Sequence, residues 1–273
     1  MNRRIVLISN GNLPSSIVLG SLLDNFHEQI AAVYITTKLP GKKNGNLAEA
    51  SIIMTRSGIR YLGFKLLYNR LLPLITPGRL LKYRCQELGI AANEVTDINA
   101  PNILDDIAQI NPDILISVSA TQKFSKELLS LAPYPINLHY ALLPAYGGIS
   151  PYVWQLINRE KSTGVTVHIM NNQLDCGNIL ATRTIDISND SALSLLFKQA
   201  LAGQALLEGV VRQLLNGEHL EQQPQDLTRR SYYRHPTKAD IATLYRSGRK
   251  LWRLSDVASL IRAISNPEPS SLS

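Results

Sequence analysis

Three side chains near the middle of the chain combine the chemistry that acyl transfer to an amine requires. Asn137 and His139 lie two residues apart, and Asp175 follows after a predicted helix. A carboxamide can donate a hydrogen bond to an oxygen that gains negative charge. An imidazole titrates near neutral pH and passes protons, and a carboxylate can fix the tautomer of that imidazole or hold a relay water. This set needs no covalent intermediate, so neither a serine nor a cysteine has to be a nucleophile.

The pattern of apolar runs predicts how these side chains meet. Short apolar runs alternate with helical stretches from Ile5 onward, as in βαβ units. They predict an α/β fold with a Rossmann-like, mostly parallel sheet flanked by helices. Asn137 and His139 share one face of a short strand, and Asp175 lies in the loop after a strand over residues 165–170. Because ligands bind such sheets at the carboxyl ends of the strands, we expect two strand ends and one loop to converge there.

The stretch around the three side chains resembles the active site of the folate-dependent formyltransferases. That family includes glycinamide ribonucleotide, methionyl-tRNA and sugar-nucleotide formyltransferases. Its pattern reads roughly Asn-x-His-x-x-Leu-Leu-Pro, then Gly-Val-Thr, then Leu-Asp-x-Gly. Residues 137–144, 164–166 and 174–177 fill every defined position of the three parts. The resemblance implies a one-carbon transferase in which the same three side chains are catalytic.

The resemblance also implies a co-substrate, N10-formyltetrahydrofolate, whose pterin would lie between two loops. The folate-binding residues expected there are Thr121, Gln122, Lys123, Phe124, Asn171, Asn172, Gln173 and Leu174. On the acceptor side, relatives that act on a phosphorylated amine hold the phosphate with backbone amides of the loop after the first strand. The substrate-binding residues expected are Asn10, Gly11, Asn12, Tyr140, Gly147 and Gly148. A plain tight turn at residues 10–12 and an ordinary strand-to-helix loop at 121–124 are the alternatives.

The motifs do not name the acceptor amine. Residues 150–154 resemble the Pro-Tyr-x-Trp stretch of sugar-type members. This favours a small-molecule amine, such as an amino sugar nucleotide or a biosynthetic intermediate. Methionyl-tRNA and glycinamide ribonucleotide are rival acceptors, although tRNA-binding members usually carry a β-rich C-terminal domain where this chain reads as helical. Hydrolysis of formyltetrahydrofolate and a non-catalytic binding module are further alternatives.

Several classes of protein find no support in the sequence. His139, His168, Cys85 and Cys176 lack metal-ligand spacing, so no metal is predicted. Two cysteines cannot build a disulfide framework, which predicts a reducing, cytoplasmic compartment. No stretch reaches the roughly 20 apolar residues of a membrane span. A nucleotide loop of the Gly-x-Gly-x-x-Gly or Gly-Lys-Ser/Thr type is also absent from the sequence.

The positive charge is assigned to one C-terminal segment. Residues 228–253 contain eight Lys or Arg and one acid. The net charge of this segment is therefore +7, the same as that of the whole chain. The remainder is therefore balanced, which argues against a general DNA or RNA binder. A solvated helix face is the plain interpretation of this segment, and contact with tRNA phosphates is the alternative.

The chain is expected to divide into two parts. We expect residues 1–190 to form the catalytic domain and residues 191–273 a short helical C-terminal extension. Residues 38–88 form a long insertion between strands, and residues 48–72 within it have helical spacing with basic and aromatic side chains interleaved. An amphipathic helix that covers the sheet is the plain interpretation. A lid over the substrate, or a patch that contacts lipid or an anionic partner, is the alternative.

Overall fold

A seven-stranded sheet forms the centre of the molecule in the computed structural model, which describes residues 3–37, 45–187 and 189–265. The strands are β1 (Ile5–Ser9), β2 (Ile30–Thr36), β3 (Ala92–Val95), β4 (Ile114–Val118), β5 (Tyr134–His139), β6 (Gly147–Gly148), β7 (Ser162–Ile169), β8 (Ile179–Asp186) and β9 (Tyr232–Tyr233). The large sheet has the order β3-β2-β1-β4-β5-β7-β8, and β6 pairs with β9. Its first five strands are parallel, and β7 is antiparallel to both neighbours. The predicted mostly parallel α/β fold is confirmed.

Helices flank the sheet on both faces. They are α1 (Leu13–Phe26), α2 (Gly45–Ser57), α3 (Ile59–Leu66), α4 (Leu72–Ile75), α5 (Leu81–Glu87), α6 (Pro101–Ile110), α7 (Lys126–Ser130), α8 (Pro151–Ile157), α9 (Ala192–Leu215), α10 (Lys238–Arg246) and α11 (Leu254–Ser265). A π-helical turn, Leu67–Leu71, joins α3 to α4. Within the described residues, none of the helices has the length and apolar character needed to cross a bilayer.

The central strands are buried on both faces. All five side chains of β1 and of β4 are buried, because helices cover the sheet from each side. Successive side chains point to opposite faces, so Ile5 and Leu7 join one core cluster while Val6 and Ile8 join the other. The continuous apolar runs of the sequence are the direct signature of this arrangement.

Helix α9 packs against the strand that carries the catalytic candidates. It begins after Ser191, whose side chain caps the backbone amide of Ser194, and Gly217 follows it with a φ of 77°. Gly203 allows a close approach, since a Cβ there would lie 2.6 Å from Leu138 Cδ2 of β5. Helix α9 and β5 therefore share one core. The expected domain boundary at residue 190 stays a prediction.

The long insertion joins the C-terminal extension rather than standing free. Arg56 Nε donates to the carbonyl of His235 at 2.7 Å, and Ser57 Oγ donates to that of Pro236 at 2.5 Å. The buried face of the insertion includes Tyr61 and Phe64, which belong to the main core cluster. The plain interpretation, helices that cover the sheet, fits this packing. Residues 38–44 of the insertion and residues 266–273 of the extension lie outside the described residues.

Part of the basic C-terminal segment is used inside the fold. Arg249 Nη1 donates to the carbonyl of Ile187 at 3.1 Å, and Arg253 Nη1 donates to that of Asn189 at 2.9 Å. These guanidinium groups fix the connection between β8 and α9. The helical character expected for the C-terminal extension is confirmed by α9, α10 and α11, and the segment also contains the two-residue strand β9, which pairs with the glycines of β6.

Candidate active site

The two catalytic candidates on β5 face a histidine and a threonine of β7. The antiparallel register places Asn137 opposite His168 and His139 opposite Thr166. Strand β5 is the last parallel strand, so its carboxyl end lies beside those of β1, β2 and β4. A cavity opens at this edge of the sheet, lined by residues that follow β1, β2, β4 and β5, as expected for such folds.

Asp175 reaches the site by a route that the sequence did not predict. We expected the end of the strand before it to converge with the end of β5, but β7 runs antiparallel and ends beside the start of β5. There the Met170 amide donates to the carbonyl of Pro135 at 2.7 Å. The loop 170–178 then crosses back along β5 and places Asp175 Oδ1 3.5 Å from His139 Nδ1. The predicted meeting of the three side chains therefore occurs through the loop alone.

The loop 170–178 is closed tightly at its neck. The Ile169 amide donates to the carbonyl of Asn178 at 2.9 Å, and a Cβ at Gly177 would collide with the Ile169 carbonyl. Gln225 Nε2 donates to the carbonyls of Asp175 and Gly177 at 3.1 and 2.6 Å. The glycine of the Leu-Asp-x-Gly motif is thus required by a close approach of two backbones.

The hydrogen bonds of His139 fix its orientation. Its Nε2 lies 2.8 Å from the carbonyl of Tyr146, to which it must donate, so Nδ1 faces Asp175 Oδ1. The other carboxylate oxygen, Oδ2, accepts from the Gly148 amide at 2.8 Å. Both side chains are largely buried, with 8% and 14% exposure. The site thus places an imidazole nitrogen beside a carboxylate oxygen, which is the arrangement of an imidazole–carboxylate pair.

His168 is a site residue whose spacing in the sequence excluded it as a metal ligand and predicted no other role for it. Its Nδ1 donates to the carbonyl of Ile169 at 2.9 Å, so Nε2 accepts from Asn137 Nδ2 at 3.1 Å. Burial lowers the pKa of His168 to about 4, against the opposing charge of Asp175. The ring is therefore neutral near pH 7 and orients the Asn137 amide. Its position two residues after Thr166 on one strand face was the signal available in the sequence.

The three candidates line a cavity of about 990 Å³ together with most of the predicted binding residues. Those that line it are Asn10, Gly11, Asn12, Thr121, Gln122, Lys123, Phe124, Tyr140, Gly148, Asn171, Gln173 and Leu174. Gly147 and Asn172 are not among its lining residues. The size is at the upper end for small-molecule sites, which leaves room for a co-substrate and an acceptor.

Some of these predicted residues already use their polar groups in hydrogen bonds within the protein. Gln122 accepts from the Ile98 amide at 2.9 Å and donates to the carbonyl of Thr96 at 2.8 Å, so it braces a loop. The Gly11 amide donates to Ser9 Oγ, and the Asn12 amide donates to Asn10 Oδ1. These contacts favour the tight-turn interpretation of residues 10–12 over a phosphate grip by those amides.

Two walls enclose the cavity. The catalytic wall consists of β5, β7 and the loop 170–178, and the helical wall consists of residues 45–75. Lys65, Tyr68 and Arg70 of the helical wall line the cavity, as does His235 of the extension. Lys65 Nζ donates to Tyr68 OH at 2.6 Å. Burial, followed by the charges of Lys65 and Arg56, lowers the pKa of His235 to about 4. None of these residues was predicted as a site residue.

The electrostatics of the cavity are positive. Asp175 is the only acid among the described lining residues, against the cations Lys65, Arg70 and Lys123. The described residues contain no group of three or more His, Cys, Asp or Glu arranged to hold a metal ion.

Comparison with known families agrees with this geometry. Residues 77–208 match the formyl transferase family, and this range contains the complete catalytic wall. The family and the transferase class predicted from the motifs are confirmed.

Solved structures show the same fold. The chain is similar to WlaRD, a sugar 3N-formyl transferase in the presence of dTDP and 5-N-formyl-THF, at 21% identity over 85% of this chain and 70% of that one, with a TM-score of 0.57. An N-formyltransferase from Helicobacter canadensis, in complex with folinic acid and dTDP-3-aminofucose, is 19% identical over the same shares, with a TM-score of 0.59. Glycinamide ribonucleotide transformylase 1 from Symbiobacterium toebii is 17% identical over 83% of this chain and 95% of that one, with a TM-score of 0.57.

Proposed function

We propose that the protein transfers a formyl group from N10-formyltetrahydrofolate to a primary amine of a small anionic acceptor, such as an amino sugar nucleotide. One observation carries the proposal: Asn137, His139 and Asp175 line one cavity, with the His139 and Asp175 side chains 3.5 Å apart. A carboxamide donor beside an imidazole–carboxylate pair is the equipment that acyl transfer to nitrogen requires.

Each residue has a distinct task in this reaction. Asn137, held by His168, donates a hydrogen bond to the formyl oxygen as that oxygen gains negative charge. Such a donor contributes roughly 3 kcal/mol to the transition state. The His139–Asp175 pair accepts one proton from the attacking amine and returns that proton to the departing nitrogen. The burial of both side chains strengthens these interactions by excluding water.

The cavity has groups that suit the co-substrate. When bound, N10-formyltetrahydrofolate supplies the formyl carbon in an activated form. Phe124, Leu138, Met170 and Leu174 offer apolar surface for a flat ring. Lys123 is exposed at the same end and can meet a carboxylate of the tail. Two of the similar structures contain a formylated folate, which supports the same co-substrate here.

The helical wall favours a small anionic acceptor. Lys65 and Arg70 supply positive charge inside a cavity of small-molecule size. The Tyr152 hydroxyl of the sugar-type stretch 150–154 lies 3.1 Å from Tyr68 OH, beside Lys65. Several similar structures are sugar N-formyltransferases. A tRNA acceptor gains less support, because Arg249 and Arg253 of the basic segment bond carbonyls within the fold.

Turnover on a panel of amines tests the proposal. Purified protein is supplied with N10-formyltetrahydrofolate and amino sugar nucleotides, glycinamide ribonucleotide or methionyl-tRNA, and release of tetrahydrofolate is measured. We expect turnover with an amino sugar nucleotide. His139→Ala and Asp175→Ala should each lower kcat by about 10²–10⁴ because proton transfer is lost.

The matched control is His27→Ala, which removes an exposed histidine at the end of α1 and should leave turnover unchanged. Circular dichroism establishes that each variant is folded. Unchanged turnover in either catalytic variant would defeat the proposed mechanism. Release of formate without any amine would instead assign the protein as a hydrolase.

A further inference from the structure

The outer face of the helical wall is unusually apolar. Nine of the seventeen exposed large hydrophobic side chains among the described residues lie between Ile52 and Leu88. Five of them form what we call the apolar ridge, which comprises Ile59, Leu66, Leu71, Leu74 and Ile75. Leu74 is 75% exposed and Ile75 is 58% exposed. Clustered apolar exposure of this kind marks an interaction surface, whereas scattered exposed leucines do not.

The ridge arises because both faces of this helical stretch are apolar. Tyr61, Phe64, Tyr68 and Leu72 face inward, at the spacing of one helix face, and are buried. Between these positions Leu62 and Leu67 are partly buried against the core, whereas Leu66 and Leu71 are exposed to solvent. A surface helix normally carries polar residues there, so the core alone does not explain the ridge.

The same region is strongly basic. Residues 51–86 contain seven Lys or Arg and no acid. The assignment of the positive charge to residues 228–253 alone was therefore incomplete, because acids elsewhere in the chain balance this second basic segment. Lys82 and Arg84 pair with acids outside it, but no ion pair among the described residues involves Arg56, Arg60 or Arg70. Of these three, Arg60 and Arg70 lie next to ridge residues in the helix and are exposed, with Arg60 over the Tyr245 ring and Arg70 at the edge of the cavity.

We propose that the apolar ridge and its flanking arginines dock the protein on an anionic lipid bilayer. Exposed leucine and isoleucine side chains can enter the boundary between headgroups and acyl chains, while arginines pair with anionic headgroups. A second copy of the chain fits this surface less well. A symmetric dimer contact would bring residues 51–86 of one copy against the same residues of the other. Neither segment contains an acid that could compensate the positive charge of its partner.

Docking would place the cavity against the headgroup layer. Leu66 of the ridge also lines the cavity. Arg70, its neighbour along the helix face, lines the cavity as well. An acceptor amine carried at the membrane surface would therefore be within reach of the helical wall. The docking proposal itself does not depend on formyl transfer, because the other four ridge residues, Ile59, Leu71, Leu74 and Ile75, do not line the cavity.

Vesicle co-sedimentation tests the proposal. Purified full-length protein is mixed at low ionic strength with vesicles of phosphatidylcholine, or of phosphatidylcholine and phosphatidylglycerol. We expect binding to the phosphatidylglycerol vesicles only, weakening as salt is added because headgroup attraction is screened. The double variant Leu74→Glu/Ile75→Glu should lower the partition coefficient at least about tenfold. The two apolar side chains whose transfer from water into the bilayer favours binding are then missing.

The matched control is Leu254→Glu, which changes a leucine of similar exposure, 79%, at the start of α11. It should bind vesicles as the unmodified protein does, and circular dichroism must show all variants folded. Absence of binding to phosphatidylglycerol vesicles, or equal binding by the double variant, would overturn the proposal. So would sedimentation equilibrium showing a dimer that the double variant dissociates, since the ridge would then cover a second copy.

Discussion

The catalytic wall and the helical wall enclose one cavity but are built from different contacts. In the catalytic wall, His139, His168 and Asp175 are buried or nearly so, and hydrogen bonds to backbone groups fix each of them. In the helical wall, Lys65 and Tyr68 bond each other's side chains, and the outer face is exposed. The first arrangement preorganises charge for chemistry, whereas the second supplies charge and shape for a ligand.

The two walls therefore have different roles: one determines the type of reaction and the other the choice of acceptor. Backbone-held groups cannot relocate without moving a strand, so the catalytic wall fixes the type of reaction. Lys65 and Arg70 of the helical wall are not core residues, so they can change without disturbing the sheet. We therefore expect substitutions in the catalytic wall to lower kcat and substitutions in the helical wall to raise KM.

Beyond the proton-transfer pair, the largest expected effect is on Asn137. Asn137→Ala removes the amide that His168 orients and should lower kcat by roughly 10²–10³, with little change in the KM of the acceptor. Steady-state kinetics over a range of acceptor concentrations separate the two parameters. A rise in KM with unchanged kcat would show that the catalytic wall binds rather than activates, and would break the comparison.

The burial of His168 should make the catalytic wall sensitive to acid. Its folded pKa is about 4 because of burial, below the unfolded value near 6.5, so the unfolded chain binds more protons between these values. The free energy of unfolding should therefore fall as pH drops from about 7 to about 5, with about 2 kcal/mol due to this ring. Urea unfolding at several pH values measures the decrease.

His168→Gln is the matched variant for that measurement, because it removes the titrating ring and keeps a polar side chain. Its free energy of unfolding should depend less steeply on pH over the same window. An identical slope in the variant and the unmodified protein would show that another group is responsible.

A smaller effect is expected in the helical wall. Lys65→Met removes a cation that lines the cavity and should raise the KM for an anionic acceptor about tenfold, with kcat nearly unchanged. Lys82→Met is the control, since Lys82 pairs with Glu94 at the surface and does not line the cavity. If both variants raise KM equally, the effect is one of overall charge and not of the wall.

The smallest effects come from one glycine that packs against the catalytic wall and one glycine within the helical wall. Gly203→Ala supports β5 less well, because its Cβ would lie 2.6 Å from Leu138 Cδ2, and should lower the free energy of unfolding by about 1–2 kcal/mol. Gly63→Ala in α3 meets no atom within 4 Å and should raise it by about 0.5–1 kcal/mol. Denaturant melts measure both, and changes of the same sign would contradict the contrast in packing.

The sequence predicted the parts of the molecule whose signal is local. The apolar run of β1 predicts a strand buried on both faces, and Ser191 with Gly217 predicts the ends of the long helix α9. The spacing of Asn137 and His139 predicts that they share a strand face. These features follow from periodicity and capping, which neighbouring residues decide among themselves.

Tertiary structure alone decided the partners of those residues. The antiparallel direction of β7 brought His168 to Asn137 and sent the loop 170–178 back along β5, and neither direction nor route is written in a local pattern. The insertion closed the cavity from the other side by bonding the C-terminal extension more than 170 residues later. Residue types and short-range spacing thus specified the catalytic groups. Strand direction and long-range packing decided which groups meet, because such contacts depend on the free energy of the whole core and not on adjacent residues.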